Sequence, residues 1–420
     1  MYNLKFICYN STKVFTISVS GGENVSRDIL KLIAEETCGE SYQAQKIELD
    51  LEADTASRID SRESKLENPK LGETDKPKED YVSLKEISKT IAQSNTQILT
   101  YFLDGSRHIY KIDDIAYQHS HSRKMVYPVV AGQVTVGCCR RNQRKMFAEE
   151  FLGEMVIALP DVANANSNNG FFPALRKKIN EQLQTKKIKV GIAKILDYST
   201  SQAKNKAQEF ANRAISKIQD YMYQSEQNMV ANLVAQNKLN QKNYLVKDGS
   251  LEYNKSEIIK DERKLLTFRN SYSYVIGVSK KFNPALWTTG TGTNLKPNPG
   301  FIAKLPLYHR TPVICYENAD FHGDIKFAIW YLRIRECERT DSVFDGVVKI
   351  EKMLVSSEEI DSEKIDSNLV NLLSAYIINE RNPVCYGLDK RWANHIYPIF
   401  LTEYFVKSRC ISAETFLNLF

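Results

Sequence analysis

The sequence predicts an α/β fold with a mixed sheet flanked by helices, and three observations carry that reading. Strand-like runs at 98–103, 126–139 and 187–196 precede one long helical stretch, about 202–239. Strand-like runs then resume at 243–248 and 273–280, and two more pass through "FIAKLPLY" and "IKFAIWYLRIR". From about residue 357 the pattern is helical. Strands on both sides of a long helix imply α/β or α+β layering around a mixed sheet. The stretch "TTGTGTNLKPNPG" is glycine-rich but lacks the spacing of a phosphate-cradling loop, so it reads as a flexible connection.

The elements before the first strand divide the chain. Residues 1–48 read as a small module, a β-hairpin ("NLKFICYN", "KVFTISVS") followed by the helix "VSRDILKLIAEETC". Residues 49–82 carry dense mixed charge and no aromatic before Tyr81, the composition of a linker that cannot bury enough apolar surface to order itself. Residues 83–420 form the main domain, entered through a short helix at 83–94.

With 420 residues, 42% hydrophobic and 26% charged, the chain can build a large core of ordinary soluble composition. No apolar run approaches the ~20 residues that span a bilayer. The alternating N-terminus lacks a secretory signal pattern, which argues for a cytoplasmic protein with no membrane association. The eight cysteines include no C-x-x-C, so neither a zinc site nor a disulfide framework is indicated. The balance of 57 Lys+Arg against 51 Asp+Glu permits a nucleic-acid partner without demanding one.

Chemistry is suggested by acids in unexpected places. The tripeptide Asp-Gly-Ser ends two strand-like runs, at Asp104 and at Asp248. On the long helix, Ala211, Ile215, Ile218, Met222, Met229 and Leu233 make an apolar stripe at helical spacing, and Glu226 falls inside it. A carboxylate on a buried face costs several kcal/mol unless it is paired or bound to a metal. Two readings follow for Glu226, a salt bridge to a buried cation or a third ligand beside Asp104 and Asp248. Three converging carboxylates suit a hard divalent cation, and two such ions about 3.5–4 Å apart catalyse phosphodiester hydrolysis. Ser106 and Ser250 are positioned to hydrogen-bond a carboxylate or a phosphate, or simply to cap their turns. His395 sits on the shoulder of an apolar helix, as a structural histidine or as a group that holds the scissile phosphate.

Together, "FLDGSR", an acid on a long helix, "VKDGSL", "VIGVSKK" and a late "WANH" resemble the NurA nucleases over roughly 98–405. The resemblance implies an RNase H-like fold and a manganese (or magnesium) site, two ions in all, built by Asp104, Glu226 and Asp248 with His395 as a further catalytic residue. It implies phosphate contacts from Lys280, with Lys281 beside it. It also implies end-directed exonuclease and single-strand endonuclease activity on DNA. The expected assembly is a homodimer working with a HerA-like hexameric ATPase, in DNA end processing or anti-phage defence. Residues 1–80 and the expanded region 140–200 depart from the family pattern. The family tyrosine has no clear counterpart, Tyr331 being the nearest. Two rivals are an inactive RNase H-like assembly subunit of a translocase and a PIWI-type guided nuclease.

Overall fold

The computed structural model describes residues 25–49, 66–75, 77, 79–94, 96–120, 123–164, 167–185, 190–201, 207–251, 262–290, 294–319, 324–338, 340–384 and 392–420. The expected hairpin at 1–20 lies outside these residues. Helix α1 (Val25–Glu36) comes first, then the short strands β1 (Glu40–Ser41) and β2 (Ile47–Glu48), β3 (Leu66–Leu71), β4 (Val82–Ser83) and α2 (Lys85–Ser94). Next come the three longest strands, β5 (Leu99–Ser120), β6 (Arg123–Asn142) and β7 (Lys145–Pro160). Helix α3 (Phe171–Thr185), β8 (Ile192–Tyr198), α4 (Ala207–Ala235), β9 (Tyr244–Asp248), α5 (Glu262–Ser271) and β10 (Val275–Ser279) follow. A separate ribbon of β11 (Thr288–Thr289) and β12 (Lys296–Pro297) precedes α6 (Pro299–Ala303). The sheet is completed by β13 (His309–Arg310), β14 (Ile314–Asn318), β15 (Lys326–Arg333) and β16 (Val347–Met353). Helices α7 (Ser357–Ser362), α8 (Ser367–Asn379), α9 (Tyr397–Lys407) and α10 (Ala413–Leu417) close the chain.

The main path of the large sheet runs β3-β14-β15-β16-β10-β9-β5-β6-β7-β8. Its β5–β9, β9–β10 and β7–β8 pairs are parallel and its other pairs antiparallel. The fold is therefore mixed α/β, a large and mostly antiparallel sheet flanked by helices.

Helices cover both faces where β5 and β6 meet. Ile218 of α4 lies 3.0 Å from where a Cβ on Gly132 would stand, so α4 presses on one face. Phe405 and Val406 of α9 stand over Gly137 from the other, the nearest atom 2.7 Å from the Cβ position. Cys138 and Cys139, neighbours that point opposite ways, are both buried for this reason.

Several expectations need correction. The described part of the proposed N-terminal module, residues 25–48, is not separate, since Ile29, Leu30 and Ile33 of α1 join the main core and β1 and β2 pair with β5. The second half of the proposed linker is also built in. Strand β3 pairs with β14, and Glu73 is fully buried against Arg310 at 2.8 Å, also accepting from the Val313 amide. A charge-rich segment is thus built into the sheet by strand pairing, with its buried acid matched by Arg310 and a backbone amide, contacts that composition cannot reveal. Strand β7 escapes the sequence reading because Glu149, Glu150 and Glu154, half-buried and paired in the fold, break the apolar pattern of "KMFAEEFLGE". The "FIAKLPLY" segment is no strand. Pro299 starts a short helix there, its missing N–H costing nothing in a first turn.

Candidate metal centre

Asp104 lies near the start of β5, directly opposite Gly137 of β6. Cross-strand partners direct their side chains to the same face, so Asp104 points toward α9. Asp248 ends β9, which lies between β5 and β10, with Lys247 in register with Leu103 and Asp248 with Val278. Gly249 then turns the chain at φ +88°, a conformation that side chains rarely adopt. Glu403 projects from α9 onto the same spot. Single oxygens of Asp104, Asp248 and Glu403 all lie within 4.8 Å of one another, a group able to hold a metal ion.

A cation already stands among these acids. Lys280, one residue beyond β10, places Nζ 2.7 Å from Oδ2 of Asp248 and 3.1 Å from Oε2 of Glu403. Lys407, one turn along α9, reaches Oε1 of Glu403 at 3.0 Å. Burial pushes the Asp104 carboxyl well above the usual carboxylate range, and negative Asp248 adds to this while Lys280 opposes it. For Glu403 burial acts in the same upward direction, but Lys280 and Lys407 outweigh it and hold the group down at about 2. The centre thus holds its charge unevenly, with Glu403 ionised and Asp104 the carboxyl that most readily keeps a proton.

Glu226 lies elsewhere. It occupies the buried stripe of α4, as its spacing predicts, but α4 lies on the opposite face of the sheet from α9. A Cβ on Gly105 would stand 2.5 Å from Oε1 of Glu226, whereas Asp104, one residue earlier, points the other way. Glu226 pairs at 3.1 Å with the buried Lys247, which lies on its own face of β9. The expected three-acid set is therefore corrected, with Glu403 taking the place given to Glu226. Lys247 also donates to the carbonyls of Asp248 and Ser250, at 3.0 and 3.2 Å, bracing the turn behind the acid cluster.

The remaining candidates divide in the same way. Ser250 is buried and donates to Glu351, which also accepts from the Leu251 amide and pairs with Lys349 at 2.5 Å. It braces the turn rather than facing a phosphate. The Ser106 carbonyl accepts from Thr135 within the β5–β6 ladder, where the residue is buried. Lys281 is exposed beside Lys280. His395 is buried against Phe400, and its carbonyl accepts from Arg335. It is not among the three clustered acids, yet its neighbour Asn394 donates to the Lys280 carbonyl at 2.9 Å, so the segment helps to seat Lys280. Tyr331 is buried between Phe282 and Trp287 in a separate small core.

Sequence reasoning does not single out Glu403. The available signal is of the same kind as for Glu226. In "YPIFLTEYFVK" a lone acid stands in an apolar helix whose Ile399, Thr402 and Val406 are buried.

No protein-family model matches the chain, and no curated protein matches it. Among solved structures, the NurA nuclease from Sulfolobus solfataricus is similar over 77% of this chain and 88% of that chain, with 12% identity and a TM-score of 0.36. No helix among the described residues is long and apolar enough to cross a membrane.

Proposed function

We propose that the chain is a metal-dependent phosphodiesterase that cuts DNA, with Asp104, Asp248 and Glu403 as its metal ligands. The observation that carries this reading is the convergence of three carboxylates from two strands and one helix. Uncompensated acids repel, so a cluster this tight suits an added cation. The donor set fits manganese or magnesium, both of which take oxygen ligands. When bound, such an ion supplies Lewis acidity toward a phosphoryl oxygen and a more acidic water.

The chain's own residues do the rest. Glu403 is an ionised ligand, and the Asp104 carboxyl gives up its proton as it joins Glu403 and Asp248. Lys280 leaves at least one of its two carboxylates and offers its ammonium to the phosphate. Lys247 and Glu351, holding the turn after Asp248 from two sides, keep that acid in place.

The finer parts of the reading rest on the motif resemblance. They are an RNase H-like arrangement, action on ends and single strands, a homodimer, a cytoplasmic site of action and a HerA-like ATPase partner. A second reading, an inactive assembly subunit, is favoured by one observation. Lys280 and Lys407 already neutralise Glu403, so the cluster is stable without an ion. The deciding experiment incubates full-length protein with end-labelled single- and double-stranded DNA in manganese, magnesium or chelator, with and without the ATPase. Metal-dependent cleavage that Asp104→Ala abolishes supports the nuclease. Metal binding measured by calorimetry without cleavage supports the inactive subunit, and neither result refutes the metal centre.

A further inference from the structure

The register of the sheet carries a line of side chains away from the acid cluster. Asp104 stands opposite Gly137 of β6, and Gly137 stands opposite Phe151 of β7. Cross-strand partners share a face, so Phe151 lies on the α9 face. Two strand spacings of ~4.8 Å, or about 10 Å, separate it from Asp104. Its ring leans over Gly153, where a Cβ would stand 2.9 Å away, and the residue remains 37% exposed.

Helix α9 bridges that gap. Its buried residues, Pro398, Ile399, Thr402 and Val406, form the stripe that faces the sheet. At ~100° per residue, Glu403 and Phe405 fall on opposite flanks of this stripe, and Tyr404 falls on the crest between them. The contacts agree. Glu403 meets Lys280 on one flank, and Phe405 meets Phe151 edge to face at 5.7 Å on the other. Tyr404 is 63% exposed, more than any other large apolar side chain among the described residues. The exposed Arg409 places its guanidinium 5.3 Å from the centre of the Phe405 ring, and the exposed Lys407 stands beside Glu403.

A single exposed ring needs no explanation, since apolar atoms make up much of any protein surface. Three rings and two cations in one run, beginning at the acid cluster and ending on β7, do need one. Rings interleaved with cations match an unpaired nucleic-acid strand, whose bases stack on aromatic faces and whose phosphates seek positive charge. A duplex keeps its base faces in its own stack, so it can use only the cations of such a surface.

We propose that this ridge binds single-stranded DNA beside the acid cluster. Unpaired bases stack on Tyr404 and on the Phe405–Phe151 pair, and phosphates lie at Lys407 and Arg409. The choice of a DNA strand rests on the reading of the cluster as a phosphodiesterase centre. The ridge gives that centre its preference for unpaired strands, because a strand gains stacking there that a duplex cannot.

The test is fluorescence anisotropy of the full-length protein with an end-labelled thymidine strand of about 12 nucleotides and with a blunt duplex of the same length. Chelator is present throughout, so that neither ligand is cut. Tyr404→Ala changes an exposed side chain and is expected to weaken strand binding at least about fivefold, as loss of one base stack implies. Its duplex binding is expected to change little. Tyr404→Phe keeps the ring and is expected to bind the strand as the wild type does. Arg409→Gln is expected to weaken both ligands and to lower the salt slope by about one. Strand binding unchanged in Tyr404→Ala, or equal losses on strand and duplex, overturns the stacking ridge. Light scattering that shows Tyr404→Ala turning a dimer into a monomer overturns it too, because the ridge is then a contact between copies. Failure of the cutting chemistry reads differently. A wild type that never cleaves in manganese, with strand binding still lost selectively in Tyr404→Ala, sinks the metal-centre reading and leaves the ridge standing.

Discussion

Nζ of Lys280 stands 2.7 Å from Oδ2 of Asp248, an ammonium occupying the mouth of an acid cluster. The same ammonium reaches Glu403, and its side chain is only 8% exposed. In the metal-free protein Lys280 therefore supplies the positive charge that the carboxylates require. Lys280→Met removes it and leaves the acids facing one another. The expected loss without divalent ions is ~3–5 kcal/mol, the cost of breaking a buried pair from one side. Manganese should restore more stability to this variant than to the wild type, because it replaces the missing charge. Chemical unfolding with and without manganese measures both quantities. An identical metal response in the two proteins would count against Lys280 as the stand-in cation.

Asp104 sets the pH dependence of that metal-free state. Its carboxyl is raised well above its ordinary value of 3.8, chiefly by burial and then by Asp248. A raised folded-state pKa means that the folded protein binds this proton more tightly than the unfolded chain does. Its contribution to stability is complete below 3.8 and is lost as pH rises through the folded value. Asp104→Asn cannot ionise, so that loss should vanish, leaving the variant as stable as the wild type or more so at neutral pH in chelator. Urea unfolding across about pH 4–8 follows the slope difference directly. A wild-type curve parallel to that of the variant would contradict the raised pKa.

Glu226 makes the opposite prediction from a metal ligand. It is nine-tenths buried and more, pairs with Lys247, and lies on the far face of the sheet from Asp104. Glu226→Gln strands a buried lysine whose remaining bonds brace the Asp248 turn. The expected destabilisation is ~3–5 kcal/mol, with manganese affinity little changed in the protein that remains folded. Calorimetry and thermal unfolding separate the two effects. Lost metal binding at unchanged stability would restore Glu226 to the ligand set.

The contrast between Glu226 and Glu403 shows what the sequence can and cannot convey. Helical periodicity places Glu226 on a buried stripe, and the structure has it there. Periodicity cannot say which face of the sheet that stripe covers, because face depends on the crossover of α4 and on the alternation of β5. The two Asp-Gly-Ser motifs do lie at one place, because β5 and β9 are adjacent and parallel. The end of β9 is thus legible from its turn residues. The strand end expected at Asp104 is not there, because β5 runs on through Gly105 and Ser106 to Ser120. The partner from a distant helix is not legible either. Glu73 makes the same point in the charged segment, where pairing of β3 with β14 and the match to Arg310 depend on distant residues that composition does not reveal.

Glu403 offers the sharpest test, because it is the proposed ligand that the motifs do not contain. Its carboxylate faces Lys280 and Lys407 and is held at about 2, against an ordinary value of 4.5. A depressed folded-state pKa contributes stability that is present above 4.5 and is lost as pH falls through about 2. A shift of that size corresponds to roughly 3 kcal/mol at neutral pH, at about 1.4 kcal/mol per unit. Glu403→Gln keeps the shape of the side chain but takes one anion from both lysines, Lys280 keeping Asp248. The variant should be less stable than the wild type by about that amount at pH 7 and should approach it in strong acid. It should also bind manganese at least about tenfold more weakly, since one charged oxygen ligand has gone. Glu226→Gln shares the first effect but not the second, so the two variants together decide which glutamate belongs to the metal. Manganese affinity undiminished in Glu403→Gln would remove α9 from the centre and leave Asp104 and Asp248 to find their third ligand elsewhere.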